Sequence, residues 1–117
     1  MSEHQEQCKY FNWVNDMMKV DFRYENIYAI PNGSARSKKT SVQLKNEGLR
    51  PGVLDINVDW PCGIYHGLRI EMKYGKGVTS VVQKEWLDRY LRAGYLVHIC
   101  CSAESAINVT IDYFNRK

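Results

Sequence analysis

No stretch of this 117-residue chain approaches the ~20 consecutive apolar residues that a helix needs to cross a bilayer. A secretory leader is not expected either, because Met1-Ser2-Glu3-His4-Gln5-Glu6-Gln7 is polar and acidic where a leader is basic and then apolar. A cytoplasmic location is the expectation that follows. Cysteine is sparse and unpatterned. Cys8, Cys62, Cys100 and Cys101 form no CxxC pair, so a structural zinc site is not expected, and reduced, mostly buried thiols are. Gly75-Lys76-Gly77 lacks the GxxxxGK[ST] pattern and reads as a turn, not a phosphate-binding loop. Repeats, low-complexity tracts and interdomain linkers are absent, and the length suits one core, so residues 1–117 are expected to form a single domain.

What is present is a globular composition, 44% hydrophobic and 25% charged, enough to bury a core under a solvated surface. The net charge of +3 permits nucleic-acid binding without arguing for it. Its distribution says more: Arg36, Lys38, Lys39, Lys45 and Arg50 crowd one polar stretch, and Lys73 and Lys76 follow. Such a cluster is either a solvated face or a surface for a polyanion.

Local patterns predict the elements. Ser2 and Gln5 read as a capping box opening a helix that carries Phe11, Val14 and Met18 on its apolar face and fades near Asp21. Ile27 to Ile30 reads as a short strand, ended by Pro31-Asn32-Gly33. A polar helix is expected from Ser37 to Glu47, then strands from Val53 to Val58 and from His66 or Gly67 to Lys73. Ser80 and Gln83 form a second capping box, starting a helix through Ala93 with Val82, Trp86, Leu87, Tyr90 and Leu91 as its core face. Tyr95 to Cys101 reads as a buried strand. Ser102 caps a last helix, with Ala106, Ile107, Thr110, Ile111 and Phe114 inward. The predicted fold is α/β, order α-β-α-β-β-α-β-α, a single mixed sheet flanked by helices.

Strand side chains alternate faces, so the two middle strands can be read as lists. Leu54, Ile56 and Val58 share one face, and Asp55 and Asn57 the other. Leu68, Ile70 and Met72 point one way, while Arg69, Glu71 and Lys73 point the other. Paired as a hairpin, these strands bring Asp55, Glu71 and Lys73 together beside an apolar core. Two carboxylates about 5 Å apart repel by roughly 3 kcal/mol at an effective dielectric near 20. Lys73 offsets part of that, and a divalent cation that favours oxygen ligands, Mg2+ or Mn2+, offsets it fully. By spacing alone the pattern is weak, and an exposed surface ion pair accounts for it as well.

The surrounding text is more specific. Tyr28-Ala29-Ile30-Pro31-Asn32-Gly33, then Lys45-Asn46-Glu47-Gly48-Leu49-Arg50-Pro51-Gly52-Val53-Leu54-Asp55, Tyr65-His66-Gly67-Leu68-Arg69-Ile70-Glu71-Met72-Lys73, Ser80 to Gln83 with Trp86, and Gly94-Tyr95 occur in that order. Together they resemble the virus-type replication-repair nuclease (VRR-NUC) family, a branch of the PD-(D/E)xK nucleases, over about residues 2 to 116. The resemblance implies a restriction-endonuclease-like core and a metal-dependent phosphodiesterase acting on DNA. It makes Asp55, Glu71 and Met72 metal positions, Lys73 the catalytic lysine and Gln83 the glutamine of the following helix. Glu6 is taken as the acid of the first helix, with Glu3 as the alternative. Where the family usually has proline before the aspartate, this chain has Leu54.

Other readings stay open beside these. Gln83 either caps its helix or partners a group on the inward stripe. Asn32-Gly33 is either a turn or a phosphate contact. His66 and His98 read as structural. DNA contacts are expected from Asn32, Arg36, Lys38, Lys39 and Arg50. The function expected is a structure-selective endonuclease using Mg2+ or Mn2+, acting on Holliday junctions or flaps, and working as a homodimer with Trp60 or Tyr65 at the interface. A decayed DNA-structure-binding module or an RNA-processing nuclease are the alternatives.

Overall fold

In the computed structural model, residues 2–31, 38–74 and 79–117 are described, the side chains of residues 38–41 excepted. Helix α1 spans Glu3–Met17, followed by a 3-10 helix at Phe22–Asn26, strand β1 at Ile27–Ala29 and helix α2 at Lys38–Asn46. Strands β2 (Ile56–Val58) and β3 (Leu68–Met72) come next, then α3 (Val81–Arg92), β4 (Leu96–Cys100) and α4 (Ala103–Phe114). The sheet order is β1-β2-β3-β4. β1, β2 and β3 run antiparallel, and β3 pairs β4 in parallel, so α3 is the crossover that parallel pairing requires. The expected α/β class, element order and single mixed sheet are all present.

Alternation divides the sheet. Ile56 pairs with Ile70 and Val58 with Leu68, and these side chains join Met72 in a core closed by Tyr10 and Val14 of α1 and Ala106, Tyr113 and Phe114 of α4. The two helices are stitched together inside it, where the Tyr10 and Thr110 hydroxyls lie 2.8 Å apart. The opposite face carries Asn57, Arg69 and Glu71, and α3 lies over it.

Several expectations need correction. The apolar stripe of α3 is not a core face: no residue of the helix is fully buried, and Val82 and Leu91 are 40% and 55% exposed. The reason is the face it covers, which is polar and offers α3 no apolar layer to enter. β4 is half-buried, not buried, with Ile99 exposed on that same side. Residues 53–55 approach β2 without pairing in it, and Asp55 sits at a bend. α1 turns Tyr10 and Val14 inward and leaves Met18 exposed, and α4 buries Tyr113 while Ile111 faces out. Cys62 and Cys100 are buried, Cys8 and Cys101 exposed, and all four are free thiols. Trp60 and Tyr65 are half-buried against the core and so are not the exposed aromatics expected.

Candidate active site

The antiparallel register of β2 and β3, continued one residue beyond Ile56–Ile70, sets Asp55 beside Glu71. Asp55 is held by the backbone of the opposite strand: the Met72 N–H donates to its Oδ2 at 2.9 Å. Leu54, directly before Asp55 where proline was expected, is fully buried. Met72 likewise sends its side chain into the core, so its main-chain carbonyl is the one hard oxygen it can offer a cation.

Glu71 is almost wholly inside the protein, at 2% exposure. One oxygen, Oε2, receives the Gln83 amide at 2.6 Å and faces the Lys73 ammonium at 3.4 Å. The other, Oε1, is buried with no hydrogen-bond partner among the described residues. Burial and the negative charge of Asp55 push the Glu71 carboxyl up from its usual 4.5 to about 7, against the pull of Lys73. An orphaned carboxylate oxygen beside a second carboxylate is a strained arrangement for a protein alone, and a hard divalent cation relieves both the orphan and the repulsion. The donor set therefore fits Mg2+ or Mn2+. Among the described residues no three His, Cys, Asp or Glu side chains cluster to hold a metal, so any further protein oxygen at this pair would be a main-chain one such as the Met72 carbonyl.

Gln83 serves both readings that its sequence left open. Ser80 Oγ accepts from the Gln83 N–H at 3.1 Å, and Gln83 Oε1 accepts from the Ser80 N–H at 3.0 Å, a complete capping box. Because the box consumes Oε1, the Nε2 end is the one turned to Glu71, which settles the orientation of the amide. The start of α3 is pressed onto the Pro51-Gly52 turn. Trp86 donates its indole N–H to the Pro51 carbonyl at 3.0 Å, and a Cβ on Gly52 would come within 2.5 Å of Val82 Cγ1. Gly52 also adopts φ +77°, so glycine is required twice over.

Of the two acids that the first helix offers, Glu6 is engaged at the start of α4, where its Oε1 accepts the Ala103 N–H at 3.1 Å. That bond holds its carboxyl below the usual range, with help from Lys9. Glu3, one turn earlier, accepts the Tyr74 N–H at 3.3 Å and lines a cavity that reaches Asp55. Of the expected DNA contacts, Asn32 and Arg36 lie outside the described residues, as do the side chains of Lys38 and Lys39, while Arg50 is exposed.

A second polar group shares the face. Alternation places Asn57 and Arg69 there, but nothing in the sequence singles them out. Arg69 is buried, bonded to Asp59 at 2.9 Å and stacked over Tyr95 and Tyr90. Tyr28 bridges Asn57 and Asp59 through its hydroxyl.

Among solved structures, the chain is similar to one described as a "VRR_NUC domain protein", with a TM-score of 0.80 and 25% identity over 97% of this chain and 88% of that one. No family model and no curated protein matches the chain.

Proposed function

We propose that this chain, whose fold is that of a VRR-NUC domain among the PD-(D/E)xK nucleases, is a divalent-metal-dependent endonuclease that hydrolyses DNA phosphodiesters, preferentially at branched structures. The observation that carries this is the pairing of Asp55 with a Glu71 whose second oxygen is buried and unpartnered. Asp55, Glu71 and the Met72 carbonyl would hold Mg2+ or Mn2+. When bound, such an ion supplies acidity to a water and neutralises charge on a phosphate oxygen.

The chain's own residues do the rest. The Met72 N–H fixes the rotamer of Asp55. Gln83 holds Glu71 so that one oxygen stays turned to the cation site. Lys73, kept near by Glu71, orients the attacking water or stabilises the charge that builds on the phosphate. Glu3, in place of Glu6, is the acid of α1 that lines the cavity reaching Asp55. Arg50 with Arg36, Lys38, Lys39 and Asn32 provides backbone contacts.

Resolving a four-way junction takes two symmetric nicks, and one chain has one Asp55–Glu71–Lys73 cluster. A two-fold dimer matches that need. The apolar residues that α3 and β4 leave exposed, Leu91 and Ile99 among them, would gain cover in it. The test is a panel of linear, flap, Y-form and four-way DNA, with matched RNA, incubated with Mg2+, Mn2+ or Ca2+, alongside light scattering. Cutting of branched DNA that needs Mg2+ or Mn2+ and is lost in Glu71→Ala supports the reading. No cutting of any substrate defeats it.

A further inference from the structure

Between the first turns of α1 and the end of β1 lies an open cavity of about 520 Å3 that reaches Asp55. That volume falls in the ~300–1,000 Å3 range of small-molecule sites. Phe11, Ala29, Ile30 and Pro31 give it an apolar wall, and Glu3, His4 and Gln7 a polar rim. Its walls are braced from both sides. The Ile30 N–H donates to the Asp55 carbonyl at 2.8 Å, tying the end of β1 to the catalytic strand. Glu3 binds the Tyr74 N–H at 3.3 Å, and Glu6 pins the same helix to α4.

We propose that this cavity is a nucleobase subsite, receiving the base of an unpaired nucleotide next to the phosphate positioned at Asp55 and Glu71. The inference rests on the nuclease reading above and names what makes it structure-selective. The lining decides the ligand class. Among the described residues it includes the carboxylates of Glu3 and Asp55 and no lysine or arginine, so nothing described there would hold a second phosphate beyond the one at Asp55. A neutral, flat ring with polar edges suits what remains: its face against Phe11, Ile30 and Pro31, its amino groups toward the acceptor oxygens of Glu3 and Gln7. A base inside continuous duplex is stacked and paired and must be extruded to enter, which disfavours it. A base at a flap or branch is already free.

Cys8 lines the cavity, is exposed, and lies 3.6 Å from His4 Nε2, so its thiol reports on occupancy. In a Cys101→Ser background, which leaves Cys8 as the one exposed cysteine, its alkylation by iodoacetamide is timed with Ca2+ in place of Mg2+. Three DNAs are compared: a duplex with a short single-stranded flap, the same flap with abasic sites, and a blunt duplex. The intact flap should slow alkylation about fivefold or more, as stacking of one base would, and the other two should not. Equal protection by the abasic flap or the blunt duplex, or no protection by any of the three, overturns the subsite. Cys8→Trp, which fills the cavity from an exposed helix position, should lower affinity for the intact flap to that of the abasic one; unchanged affinity also overturns it. Normal Mg2+-dependent cutting with no Cys8 effect would remove the subsite and leave the nuclease, whereas Cys8 protection without cutting of any DNA would remove the nuclease.

Discussion

The two faces of the sheet are made by alternate residues of the same strands, and they are held together in opposite ways. On one, Ile56, Val58, Leu68, Ile70 and Met72 present only apolar side chains to α1 and α4, whose own buried hydroxyls, Tyr10 and Thr110, satisfy each other. On the other, Asn57, Arg69 and Glu71 are nearly as buried, yet each depends on specific partners, and Asn57 Oδ1, Arg69 Nε and Glu71 Oε1 lack one among the described residues. The first face is optimised for stability and is indifferent to chemistry. The second accepts desolvated charge that stability alone would not select, the signature of a site kept for function.

Substitutions should separate the two faces. Asp55→Ala, Glu71→Ala and Lys73→Ala should each cut cleavage by about a hundredfold to a thousandfold or more, with circular dichroism and thermal midpoint near those of the parent. Calorimetry should find Mn2+ binding lost in Asp55→Ala and largely kept in Lys73→Ala; unchanged binding in Asp55→Ala would refute the ligand assignment. Ile70→Ala, one residue from Glu71 but on the other face, should do the reverse. It should cost about 2–5 kcal/mol in urea unfolding while turnover per folded molecule is kept.

Acidity sharpens the contrast. The fold raises the Glu71 carboxyl from 4.5 to about 7, so the folded state prefers the protonated form. The stability this lends is full below 4.5 and is lost as pH rises through about 7. Metal-free protein should therefore melt lower at about pH 8 than at about pH 5, and Glu71→Gln should flatten that slope. Added Mg2+ should raise the midpoint most at the alkaline end, where the carboxylate is ionised. A pH-independent midpoint in the parent would contradict the assignment.

A smaller effect is expected at Gly52, where Ala would strain a positive φ and push on Val82. About 1–3 kcal/mol of stability should go, and cleavage should fall with it because Gln83 sits one residue on. Smallest is the surface: a triple alanine variant of Arg36, Lys38 and Lys39 should lower the slope of log affinity against log salt by about one unit for each phosphate no longer neutralised. An unchanged affinity at low salt would make this cluster merely solvated.

What could be read in the sequence follows the same division. Alternation in Leu68 to Lys73 sorted core from cluster because strand geometry is local, and Ser80 with Gln83 announced a capping box for the same reason. The choice between Glu3 and Glu6 could not be read, since residues three apart share one side of a helix. What distinguishes them is the Ala103 N–H, 97 residues along the chain from Glu6, which engages its carboxylate. The stripe on α3 misled because hydrophobic periodicity reports that a helix has an apolar side, not which face of the sheet awaits it. Trp86 and Tyr90 belong to that stripe, yet they lie beside Arg89 and Arg69 and not in the core.

The clasp between α1 and α4 has a consequence for how the molecule is made. Asp55, Glu71, Lys73 and Gln83 lie within one contiguous stretch and can meet through short loops, early in synthesis. The helix that carries Glu3 emerges before them, yet its anchors, Thr110 and Ala103, emerge 100 residues after Tyr10 and 97 after Glu6. Closing so long a loop gains nothing until both ends exist. The cleft beside Asp55 is thus completed only after α4 has been translated, so a chain still lacking α4 would hold the Asp55–Glu71–Lys73 cluster without the wall of the proposed subsite.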